Sequence, residues 1–115
     1  MKRLIKAFGF AASGIMDGFR FERNMKLHGI AAVVVIAAGW YYHITHAEWI
    51  AITLCIGGVF TAELMNTAIE KLTDLVSPEH NPKAGAVKDM AAGAVLIAAI
   101  ISAIAGAIIF VPRIF

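Results

Sequence analysis

The sequence predicts an all-α membrane protein, with an amphipathic helix in the membrane interface followed by three transmembrane helices. Three observations point there. The 115 residues are 60% hydrophobic and only 16% charged, with a mean hydropathy of +0.78. A soluble core of this length could not hide so much apolar surface, so lipid is the better solvent. The apolar residues fall into three long runs broken by polar stretches. The basic residues cluster at only some of the breaks.

The segment at about residues 3–23 is the surface helix. Leu4, Phe8, Ala11, Ile15 and Phe19 recur at helical spacing, and Lys2, Arg3, Lys6 and Asp17 supply the polar side. Basic residues on such a helix meet lipid headgroups. No cleavable signal peptide is expected, because Gly9, Ser13, Asp17 and Arg20 interrupt the apolar residues after MKRLIK.

The first span is placed at residues 27–47, which contain no Asp, Glu, Lys or Arg. The second, 49–74, starts apolar and continues helically through the polar stretch TAELMNTAIEKLTD. Glycine and proline in VSPEHNPKAG mark a loop. The third span, 88–111, is apolar from Met90 and ends at Pro112. Its Ala and Gly residues permit close helix packing.

Six of the ten basic residues precede the first span, and Lys71, Lys83 and Lys88 lie in or beside the second loop. The first loop, HITHAE, has none. The positive-inside rule therefore puts the N-terminus and second loop in the cytoplasm. Trp40, Tyr41, Tyr42 and Trp49 would form an aromatic belt at the opposite interface. His43 and His46 read as solvated loop residues rather than a metal pair. Cys55, the only cysteine, excludes an intrachain disulfide. A net charge of +2 is too small to suggest nucleic acid as a partner.

TAELMNTAIEKLTD carries the chemistry. At about 100° per residue, Asn66, Thr67, Glu70 and Asp74 all lie within roughly 60° of Glu63 around the helix. A polar packing seam would account for Asn66 and Thr67. It accounts poorly for carboxylates, which are costly at depth unless paired or wet. Glu22, Lys88 and Asp89 belong to the same cytoplasmic side. Carboxylates from separate segments, without a His or Cys cluster, suit a hard divalent ion such as Mg2+ arriving with phosphate oxygens. No GxxxxGK[ST] or GxGxxG stretch is present, so a nucleotide here would not meet a P-loop or protein-kinase fold.

ELMNTAIEKLTD resembles the signature of the prokaryotic diacylglycerol kinase family. KDMAAGAV, FERNMKLH and RLIKAFGF resemble its other blocks, and the likeness covers nearly the whole chain. It implies a homotrimeric lipid kinase of the bacterial cytoplasmic membrane, with active sites between subunits. Such an enzyme moves the γ-phosphate of ATP to a membrane lipid alcohol. By resemblance, Glu63 would be the general base, and Glu22 and Glu70 would hold Mg2+ and the nucleotide phosphates. Arg3, Lys88 and Asp89 would contact nucleotide, and Asn66 would support the centre. Glu79, His80 and Asn81 occupy the family's adenosine-contact positions.

The chain departs from the family at three places. His80-Asn81 stands where Tyr-His is frequent, Phe10 replaces a tyrosine, and Ala92 replaces the serine of enterobacterial diacylglycerol kinases. The AAGAV and ERNM forms resemble the undecaprenol kinase branch, so undecaprenol is the expected substrate and diacylglycerol the alternative. Two readings of other classes compete: a small proton-coupled transporter and a non-catalytic membrane subunit. The transporter would usually have four spans with its key Glu in the first. The subunit leaves Glu22, Glu63, Glu70, Lys88 and Asp89 unexplained.

Overall fold

The computed structural model describes all 115 residues, Met1–Phe115. Four helices follow in order: α1 (Lys2–Phe21), α2 (Arg23–Tyr41), α3 (His46–Val76) and α4 (Pro82–Ile114). There are no strands. The radius of gyration is 17.0 Å, against about 13 Å for a compact globule of this length. Only 11 of 115 residues are buried, so most of the apolar surface must be covered by something outside the chain. Two helices, α3 and α4, are long and apolar enough to cross a membrane.

The helices run further than the sequence suggests, and their caps explain why. The HITHAE stretch is not wholly a loop. Thr45 caps α3, its Oγ1 accepting from the Glu48 backbone N–H at 3.2 Å while Glu48 Oε1 accepts from the Thr45 N–H at 2.9 Å. This reciprocal box starts α3 at His46, ahead of the expected residue 49. α2 correspondingly stops at Tyr41 rather than 47. VSPEHNPKAG is likewise only partly a loop. Asn81 Oδ1 accepts from the Lys83 N–H at 2.9 Å and Pro82 occupies the first turn, so α4 begins six residues before Lys88. Proline suits that place because its missing N–H has no intrahelical partner there.

Pro112 does not end α4, which continues to Ile114. The last turn is held from the side. Arg113 donates to the Ile109 carbonyl at 2.6 Å and forks onto Glu48 with contacts of 2.7 and 2.9 Å. That clamp joins the start of α3 to the end of α4, which pack along each other more extensively than any other pair. Beside it lies the apolar cluster of Ile44, Ile52 and Ile109, with Tyr42, Trp49 and Phe110 packed around it. Gly39 permits this packing, since a Cβ there would stand 2.7 Å from Trp49 Cη2.

At the other end, α1 breaks from α2 at Glu22, whose backbone is extended (φ −101°, ψ 121°). Met25, with no exposed surface, packs into the elbow against Gly18. Phe19 meets Phe60 of α3 edge-on at 5.3 Å. These contacts carry Glu22 to the side of α3.

Candidate active site

The polar face of α3 is graded by depth. Glu63 is 2% exposed, Asn66 7% and Thr67 9%. Glu70 is half-buried and Asp74 exposed. With about 1.5 Å of rise per residue, the row spans roughly 16 Å. It therefore runs from a buried carboxylate to a solvated one along one helix.

Each depth has its own pairing. Asp74 forms an ion pair with Lys88 of α4. Half-buried Glu22 comes within 4.0 Å of the exposed Lys71, one residue beyond Glu70 in sequence and about 100° around the helix from it. Asn66 Nδ2 donates to Glu70 Oε1 at 3.1 Å, so Asn66 steadies the Glu70 carboxylate directly. Its own Oδ1 is buried without a hydrogen-bond partner.

Glu63 is the exception. Its Oε2 is buried and makes no hydrogen bond. His28 Nε2 of α2 stands 3.5 Å away, without hydrogen-bond alignment. An unsatisfied buried carboxylate oxygen is expensive and rare. It is what a group kept free to accept a proton requires.

The sites expected from sequence divide accordingly. Glu63, Asn66 and Glu70 share the α3 face, Lys88 joins it through Asp74, and Glu22 reaches the flanking Lys71. No ion pair or side-chain hydrogen bond joins Arg3, Glu79, His80 or Asp89 to it. Arg3 is exposed on α1 beside Lys2 and Lys6. Glu79 and His80 are exposed in the α3–α4 connection, and Asn81 is engaged as the cap of α4. Ala92 is exposed on α4 next to buried Ala91. His28 and Lys71 join these groups without belonging to the expected site set. His28 sits in FERNMKLH, where a polar side chain early in an apolar helix was the available signal.

Glu22 and Glu70 are hard oxygen donors, and magnesium commonly takes one or two carboxylates together with water and phosphate oxygens. The donor chemistry fits that ion. Within one chain, no group of three or more His, Cys, Asp or Glu is placed to hold a metal.

Comparison with known proteins shows what the chain is similar to. The chain is 45% identical over 113 residues to the undecaprenol kinase of Bacillus subtilis, covering 98% of this chain and 92% of that one. It is 37% identical to a diacylglycerol kinase of Synechocystis, over 95% of this chain and 63% of that one. It is 28% identical to the diacylglycerol kinase of Escherichia coli K12, over 89% and 84%. The match to the family described as prokaryotic diacylglycerol kinase runs over residues 9–110. That range takes in Glu22, the whole polar face of α3 and the Lys88–Asp89 pair, and with it the chain belongs to the prokaryotic diacylglycerol kinase family of membrane lipid kinases.

Proposed function

We propose that the protein transfers the γ-phosphate of ATP to the hydroxyl of undecaprenol, with Glu63 as general base. The observation that carries this reading is Glu63 itself, 2% exposed with Oε2 unpartnered. The 45% identity to an undecaprenol kinase supports the choice of lipid. Diacylglycerol is the second reading, favoured by the names of the relatives at 37% and 28% identity.

In this reading Glu63 takes the proton as the lipid oxygen bonds to the γ-phosphorus and the bond to ADP breaks. Glu70, steadied by Asn66, and Glu22 would hold magnesium. When bound, that ion offsets the negative charge of the phosphate oxygens. Lys88 would leave Asp74 for phosphate, with Asp89 and Arg3 also toward the nucleotide. Glu79, His80 and Asn81 would lie near the adenosine.

α2 would be the third crossing helix, its 19 residues covering about 28 Å of a hydrocarbon core of about 30 Å. α1 would lie in the interface, with its strongly amphipathic face toward lipid. A homotrimer in the bacterial cytoplasmic membrane, with the site facing the cytoplasm and shared between subunits, completes the picture. Two facts favour sharing: the small buried fraction of the lone chain, and the absence of a three-ligand metal cluster within it.

The test gives purified protein labelled ATP with undecaprenol and diacylglycerol in parallel. Label is expected mainly in undecaprenyl phosphate. Equal labelling of both lipids would remove the preference, and labelling of neither would defeat the kinase reading.

A further inference from the structure

Glu63 poses a problem that its role as base does not solve. A buried carboxylate that takes a proton in every turnover must also lose it. Its surroundings offer few acceptors. Asn66 is an amide whose Nδ2 is committed to Glu70. Glu70 lies two turns away, about 10 Å along the helix. Lys71 faces Glu22, and Asp74 is held by Lys88.

One basic group reaches Glu63. His28 Nε2 is 3.5 Å from Oε2, and its side chain is 26% exposed where that of Glu63 is 3% exposed. The pair thus joins an enclosed position to a more open one. The ring also lines an apolar cleft of about 210 Å³ with Val35, Ile52, Val59 and Ser102. No other charged group faces it there. From α4 the cleft receives only Ser102 and small apolar residues. From α1, Phe19 packs against neighbouring Gly29, while Asp17 and Glu22 line a separate cleft with Lys71. On α2 itself, Arg23 and Lys26 are exposed.

We infer that His28 is the proton outlet of Glu63, a relay residue for the proposed phosphoryl transfer; this rests on Glu63 being the base. The lipid O–H bond breaks and its proton goes to Glu63. The O–H bond of the resulting carboxylic acid then breaks, and Nε2–H forms on the neutral imidazole. The imidazolium gives a proton to water at the interface, and ring and carboxylate return to their starting charge. Histidine suits the task because its charge changes between about pH 5 and 8. The 3.5 Å resting distance is compatible with a contact that tightens only when substrates are bound.

The test compares His28→Ala and His28→Gln in full-length protein in lipid. Both should lose about 10²-fold in kcat while KM for ATP holds, and added imidazole should restore about tenfold or more to His28→Ala. A packing role would not respond to imidazole. Should His28→Ala fail to fold, the pH–rate profile of His28→Gln decides. Loss of the acid limb supports the relay, and an unchanged limb overturns it. A kcat close to the parent's in either variant, or a loss that imidazole leaves untouched while ATP still binds, also overturns it. Glu63→Gln is assayed alongside. Parental turnover there would sink the base assignment itself, whereas inactive Glu63→Gln beside active His28→Ala would sink the relay alone.

Discussion

The two ends of the helical bundle place a carboxylate against a base in opposite ways. At one end, Glu48 receives both prongs of the Arg113 guanidinium and also closes the Thr45 capping box. Its oxygens are satisfied, and the Ile44–Ile52–Ile109 cluster sits beside it. At the other end, Glu63 is more deeply buried, yet its Oε2 has only a misaligned histidine at 3.5 Å. The first arrangement spends its polar groups on holding helices together. The second leaves them unspent, which is the pattern of a site kept for chemistry rather than stability.

This contrast can be broken from either side. The largest effect belongs to Glu63→Gln, which keeps the shape and removes the base. Turnover should fall by about 10²–10⁴-fold. A radiolabel assay in lipid reads it, and parental turnover would erase the distinction between the ends. Gly39→Val comes next and acts on the opposite end. Its Cβ would enter the space of Trp49 and Ile44, at an expected cost of about 1–3 kcal/mol for overpacking. Thermal unfolding in detergent would measure it, with the turnover of surviving protein little changed. Thr45→Ala should be smallest. Losing the N-cap costs about 1 kcal/mol, read in the same unfolding assay, again with turnover near the parent's. A large loss of turnover from either outer-end variant in folded protein would show that the two ends are not separable.

The polar face was legible because it is periodic. Glu63, Asn66, Glu70 and Asp74 repeat at three- and four-residue spacing, and a helix alone puts them on one side. The all-helical fold followed from the apolar runs for the same local reason. The helix direction already sets Glu63 deeper than Glu70, but how tightly each is enclosed depends on what packs against α3. His28 and Glu63 are 35 residues apart, and Glu48 and Arg113 are 65. Such pairs arise only when helices dock, and no spacing rule announces them. The helix ends are a different kind of miss. Thr45-His46-Ala47-Glu48 and Asn81-Pro82 are local start signals. They were outweighed by the polar character of HITHAE and the Gly–Pro content of VSPEHNPKAG. Pro112 misleads by ordinary chemistry, because the Glu48 that anchors neighbouring Arg113 comes from the start of another helix.

The Glu63 end gives up stability for reactivity. The most direct measurement follows turnover and thermal unfolding together in Glu63→Gln. A neutral amide removes the cost of burying an unpaired carboxylate. Turnover should collapse while the melting temperature holds or rises. A variant that loses melting temperature and activity together would contradict it, and would make Glu63 a structural group like Glu48.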